Sequence, residues 1–73
     1  MRAAARRDRV AVPVTTQRAL VRARDVCGGV RPLSERLTVA ETTVWDALAP
    51  VAIVRPVALE RLQAGLRAMG EEP

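Results

Sequence analysis

A chain of 73 residues is enough for one small domain, and its apolar residues are mostly Ala, Val and Leu, with one Trp and no Phe or Tyr. The absence of His excludes a histidine zinc site and a His-based catalytic triad, and a single cysteine excludes an internal disulfide. All twelve basic residues are Arg, and the formal net charge of +4 favours an anionic partner, most often nucleic acid.

The charge is unevenly distributed along the chain. Residues 1–9 and 10–31 each carry a net +3, residues 32–54 carry −2, and residues 55–73 are neutral. No apolar run reaches the roughly 18 residues that a membrane helix needs. No long apolar segment of a secretory signal follows the first Arg residues. We therefore expect a cytoplasmic protein without membrane contact.

Residues 1–14 are predicted to form a basic N-terminal arm. The segment begins with RAAARRDR after the first Met, and it fits equally well an arm that reaches DNA and a solvated tail. The brief alternation of polar and apolar residues from Arg9 to Val14 also allows an edge strand, because Pro13 excludes a central one.

A first helix is predicted from Thr15 or Thr16 to about Cys27. Either Thr can cap its start, because a Thr oxygen accepts a bond from an unpaired backbone N–H. The glycine pair at residues 28–29 ends the helix, because glycine permits left-handed backbone.

The central stretch of the chain, residues 33–48, reads LSERLTVAETTVWDAL. Leu33 and Leu37 are four residues apart, as are Val44 and Leu48, and each pair fits one face of a short helix. The helical period breaks between the two pairs, which predicts a turn there. A short helix, a tight turn and a second helix packed across the first is a helix-turn-helix arrangement.

The first helix of this motif is predicted at Pro32–Leu37, which puts its proline in the first helical position. The second begins near Ala40 or Glu41. It ends before Pro50, because the residue preceding a proline avoids the helical region. Residues 38–40 then form the turn.

The rest of the chain contains an apolar run and a fourth predicted helix. Val51–Val54 could be a buried extended segment, an edge strand used for dimer pairing, or a loop over the core. The fourth helix begins at Pro56 and ends at Gly70, followed by a loose tail, residues 71–73. Its apolar stripe is either the core face that covers the motif or a dimer seam. The stripe comprises Leu59, Leu62, Leu66 and Met69.

Residues 33–48 resemble the DNA-binding motif of small phage repressors of the Cro and lambda-repressor type and of the lac-repressor headpiece. In that family a small residue lies where the two helices touch, and Ser34 occupies this position. An apolar residue follows the turn, here Val39, and a buried β-branched residue locks the second helix, here Val44. The family's usual turn glycine is replaced by Thr38, and Thr disfavours positive φ.

The resemblance implies that the third predicted helix enters the major groove of double-stranded DNA. Glu41 can accept a bond from cytosine N4, and Thr42 can place its methyl against a thymine methyl. Trp45 can either contact a thymine methyl or fold against a neighbouring helix, and we favour partial burial. The predicted base-reading residues are Ala40, Glu41, Thr42 and Trp45.

Phosphate contacts are expected from residues around the reading helix. Arg31 lies just before the predicted start of the second helix, and a helix N-terminus beside an Arg suits a phosphate. The predicted phosphate-binding residues are Arg31, Arg36, Thr43 and Arg55.

These observations predict a compact all-α domain of four helices, residues 15–70, with a central helix-turn-helix. We expect a sequence-specific transcriptional regulator that represses a phage, plasmid or toxin–antitoxin operon and binds operator DNA as a homodimer. No metal, cofactor or enzymatic activity is expected, because the carboxylates lie on helices without a visible cleft.

An alternative is a small protein-interaction module, either a phage-encoded inhibitor or an antitoxin. Glu41 and Asp46 make the third helix acidic, and it contains no Arg, which favours a basic protein partner. A subdomain of a recombinase or transposase fits less well, because the chain lacks catalytic residues. A basic rim beside the third helix would favour DNA, and an isolated acidic ridge would favour the protein partner.

Overall fold

The computed structural model describes residues 8–73, which form four helices and one two-stranded antiparallel sheet. The predicted all-α class of four helices is confirmed. Residues 1–7, the first half of the predicted basic arm, lie outside the described residues. None of the four helices combines the length and the apolar composition that crossing a bilayer requires. In chain order the elements are β1 Val10–Ala11, α1 Val14–Cys27, α2 Val30–Leu37, α3 Glu41–Leu48, β2 Ile53–Val54 and α4 Pro56–Ala68.

Helix α1 begins at Val14, with Pro13 in the N-cap position and no side-chain capping bond, so the predicted Thr cap is wrong. Thr16 is instead fully buried, and its hydroxyl oxygen accepts a bond from Gln63 Nε2 at 3.1 Å. Pro13 suits the start of a helix because its fixed φ, here −58°, matches the first turn. Gly28 ends the helix in the left-handed region, as predicted.

The sheet includes part of the predicted arm. Its strands pair with Val10 opposite Val54, and the ladder continues as the Val12 N–H donates to the Ala52 carbonyl at 2.8 Å. Val12 is 8% exposed. Residues 10–14 therefore belong to the folded domain, and the folded part begins earlier than the predicted boundary at residue 15.

The apolar run that follows α3 forms strand β2. Val54 is buried, whereas Ile53 is 44% exposed and Val51 is 76% exposed. Alternation between the two faces of the strand explains this contrast, because successive side chains point in opposite directions. The run is thus half buried, and only one of its faces packs on the domain.

Helix α2 begins at Val30, two residues before the predicted start, because Gly29 takes the N-cap position. Val30 is buried, so including it in the helix adds an apolar contact to the core. Pro32 is consequently the third helical residue, and Arg31 lies within the first turn rather than before it. Helix α3 begins at Glu41, as predicted.

Residues 38–40 form the predicted turn between α2 and α3. Thr38 adopts φ 58° and ψ 45°, in the left-handed region. Its N–H donates to the Glu35 carbonyl at 3.2 Å, and the Val39 N–H donates to the Ser34 carbonyl at 3.0 Å. These bonds satisfy carbonyls at the end of α2 and turn the chain sharply into α3.

The core lies between α1, α2 and α3, and α4 packs on α1 and α2. Leu62 and Leu66 are both 0% exposed, so the central part of the α4 stripe is core face and cannot form a dimer seam. The backbones of α2 and α4 approach closely at Gly65, where a Cβ would lie 2.5 Å from Leu37 Cδ2. The largest fully buried side chains are Leu20, Leu33, Leu62, Leu66, Val44 and Thr16.

The C-terminal tail packs against the helices at Glu71. The Glu71 N–H donates to the Leu66 carbonyl at 2.9 Å, and its carboxylate accepts a bond from Arg22 Nε at 2.8 Å. The expectation of a loose tail is therefore wrong for its first residue.

Candidate nucleic-acid interface

Helix α3 is held on the domain by Val44 and Ala47, which are both 0% exposed. With a helical rotation of about 100° per residue, Thr42, Trp45 and Asp46 fall on the opposite side. All three are exposed. The helix thus has one buried face that fixes its position and one outward face that is open to a ligand.

Trp45 lies on the outward face with 54% of its surface exposed. Of its two predicted placements, the structure adopts the outward one rather than the favoured one against a neighbouring helix. The reason is the geometry of α3, because Trp45 lies about 100° from Val44 and about 160° from Ala47 around the helix axis, away from the buried face.

The four predicted base-reading residues form a continuous exposed group at the start of α3. Ala40 is the N-cap and Glu41 is the first helical residue. Among residues 8–73, no side-chain hydrogen bond involves Glu41, Thr42 or Trp45. Their polar groups are therefore available to a partner molecule.

A shallow cavity of about 250 Å³ lies between α3, the sheet and the first turn of α4. Two predicted phosphate-binding residues, Thr43 and Arg55, line it together. A third lining residue, Arg9, belongs to the predicted arm and is not among the predicted site residues. The alternation of polar and apolar residues at 9–14 allows an edge strand, but it does not predict the strand with which this one pairs. The cavity is lined by Arg9, Thr43, Asp46, Val54, Arg55 and Ala58.

Two guanidinium groups and one carboxylate make this cavity net positive. Arg9 and Arg55 are both exposed. Within residues 8–73, ion pairs closer than 4.0 Å involve Arg22 with Glu71 and Arg24 with Asp25, and neither of the cavity arginines. The acidic face of α3 is therefore bordered on one side by basic groups that have no close carboxylate partner in the described chain.

The other two predicted phosphate-binding residues lie apart from this cavity. Arg31 is exposed in the first turn of α2. Arg36 lines a separate groove with Arg61 and Gly65 of α4. The structure therefore brings Thr43 and Arg55 together but does not bring Arg36 to them.

Comparison with known proteins found nothing similar: a scan against protein-family models, a search of curated proteins and a search of solved structures each gave no match. Within residues 8–73, no three His, Cys, Asp or Glu residues are grouped in a way that could hold a metal ion. The outward face of α3 and the charged groups beside it are the features of the described residues that bear on function.

Proposed function

We propose that the protein is a sequence-specific DNA-binding transcriptional regulator, a repressor that reads operator DNA through α3. The observation that carries this proposal is the outward face of α3, which presents Glu41, Thr42 and Trp45 from a rigid support. Val44 provides that support from the buried side of the same helix. The major groove of B-DNA, about 12 Å wide, admits a helix presented in this way.

Each outward side chain has a distinct chemistry for base recognition. The Glu41 carboxylate accepts a bond from the N4 amino group of cytosine. The Thr42 hydroxyl bonds a base edge, and its methyl packs against a thymine methyl. Trp45 offers apolar surface to the same methyl group. Repression then follows from occlusion of a promoter by the bound protein.

The negative charge of α3 is the main cost of this function, because DNA phosphates repel carboxylates. Sequence reading requires only a few base contacts, whereas phosphate contacts come from flanking elements. Arg55 and Thr43 supply such contacts from the cavity beside α3, and Arg31 supplies a further one from the first turn of α2. The acidic residues are therefore not an isolated ridge, which supports DNA over a basic protein as the partner.

The test is selection of bound sequences from a pool of random duplexes, followed by salt titration of the enriched duplex and a scrambled one. We expect an enriched sequence that binds more tightly than the scrambled duplex. The logarithm of its binding constant should fall linearly with the logarithm of salt concentration. If no sequence is enriched and neither duplex binds at low salt, the proposal is wrong.

The second candidate function is a protein-interaction module, such as an inhibitor or an antitoxin. It is favoured by the exposure of Trp45 between the carboxylates Glu41 and Asp46, because exposed aromatic residues often anchor protein interfaces. The same selection separates the two functions, since a protein-interaction module would enrich no duplex.

A further inference from the structure

We propose that Arg9 and Arg55 form a clamp for one phosphate of the DNA backbone, on the Thr43 side of α3. This inference rests on the proposed DNA-binding function and identifies where one strand of the duplex is held. It assigns a binding role to Arg9.

The sheet brings the two arginines to the same cavity. Val10 pairs with Val54 in the antiparallel ladder. Arg9 immediately precedes β1 and Arg55 immediately follows β2, so the two residues leave the sheet at the same end. Both arginines line the cavity.

Two like charges that line one cavity repel each other unless an opposite charge lies between them. Among residues 8–73, neither Arg9 nor Arg55 has a carboxylate oxygen within 4.0 Å. A phosphate bound between them would replace this repulsion with charge-assisted bonds, and the planar guanidinium fork suits phosphate oxygens. The cavity therefore fits a phosphate better than a neutral ligand.

Thr43 shows which part of DNA would reach the cavity. It follows Thr42 by about 100° around α3, so it lies on the flank of the helix between the outward and buried faces. When the outward face of α3 is in the major groove, this flank faces the backbone that borders the groove. The Thr43 hydroxyl can donate a further bond to the same phosphate.

Asp46 lines the cavity as well and opposes the phosphate. Its carboxylate lowers the affinity of the clamp for an anion, because like charges repel at this range. This arrangement predicts effects of opposite sign: removing either Arg charge weakens DNA binding, and removing the Asp46 charge strengthens it.

The test compares Arg9→Gln, Arg55→Gln and Asp46→Asn with Arg67→Gln, a control that removes an exposed charge on α4 outside the cavity. Binding of the selected and scrambled duplexes is titrated with salt, and circular dichroism checks folding. We expect each cavity Arg variant to weaken both duplexes equally and to lower the salt slope by about 1. The control should change the slope by less than half as much, and Asp46→Asn should strengthen both duplexes.

A chemical probe then locates the phosphate. Single phosphates of the selected duplex are replaced in turn by neutral methylphosphonates. We expect a methylphosphonate at one position to weaken binding of wild-type protein. The same methylphosphonate should leave binding of the double variant, Arg9→Gln with Arg55→Gln, unchanged. If no position distinguishes the two proteins, the clamp is wrong.

The outcomes separate the clamp from the proposed function. If wild-type protein binds the selected duplex but both cavity Arg variants keep the slope of the Arg67 control, the function stands and the clamp is overturned. If wild-type protein binds no duplex, both are overturned. Inorganic phosphate, titrated without DNA at constant ionic strength, should bind wild-type protein only weakly. Tight binding that requires Arg9 and Arg55 would assign the cavity to free phosphate and would overturn the clamp.

Discussion

At the scale of single residues, Thr38 has the least favourable backbone of the described chain. It is the one non-glycine residue with positive φ among residues 8–73. A left-handed conformation costs an L-residue with a Cβ atom about 1–2 kcal/mol. The side chain of Thr38 is exposed and makes no hydrogen bond within the described chain. The two backbone hydrogen bonds of the turn therefore offset this cost.

Thr38→Gly should therefore stabilise the domain. Glycine removes the steric cost but adds about 0.5–1 kcal/mol of backbone entropy to be lost on folding, so the net gain should be up to about 1.5 kcal/mol. Urea denaturation measures it. Thr38→Ala is the matched control, because it keeps the Cβ atom and should give no gain. A Gly variant that is no more stable than the Ala variant would contradict this account.

Glu41 and Thr42 are the two residues for which we predict contacts with base edges. Replacing either with Ala should relax sequence preference more than it weakens binding to a scrambled duplex, because a good base contact contributes about 1–3 kcal/mol of discrimination. The ratio of the two binding constants measures it. Thr15→Ala on α1, an exposed change away from α3, is the control. An equal loss on all sequences would exclude base reading by these residues.

At the scale of elements, α4 contributes to the stability of the domain because it packs on α1 and α2 and buries Leu62 and Leu66. Leu62→Ala should lower the free energy of unfolding by about 2–5 kcal/mol, since it leaves a cavity at a fully buried site. Val57→Ala, in the same helix but 52% exposed, should change it by less than about 0.5 kcal/mol. Denaturant unfolding of both variants measures the difference. Equal stabilities would show that the α4 stripe is not core.

At the scale of the whole molecule, the size of α3 limits how much sequence one chain can read. A helix of eight residues is about 12 Å long, which matches only about four base pairs. If α3 reads DNA as proposed, we therefore expect two copies of the chain to share one operator, as in the homodimer expected from the sequence.

We therefore expect the selected duplexes to contain two half-sites related by a two-fold axis, with centres about one helical turn apart. Sedimentation of the complex should give two chains per duplex. A duplex with a single half-site is the control and should bind more weakly. Enrichment of a single half-site with one chain bound would contradict the homodimer.

The amino-acid sequence by itself determined the four helices and the turn. Apolar spacing and the Gly and Pro residues at helix ends act over a few residues, so α3 and the start of α4 could be placed closely. The first residues of α1 and α2 were placed less well, because Thr16 and Val30 are buried by contacts with distant parts of the chain.

Only the tertiary structure decided which charged residues lie together. Arg9 and Arg55 become neighbours through the register of two strands far apart in sequence, and local patterns do not encode that register. The separation of Arg36 from Thr43 has a similar cause, since Arg36 lies in the groove that α2 forms with α4. The helices follow from local spacing, whereas the arrangement of charge around α3 follows from packing between distant segments.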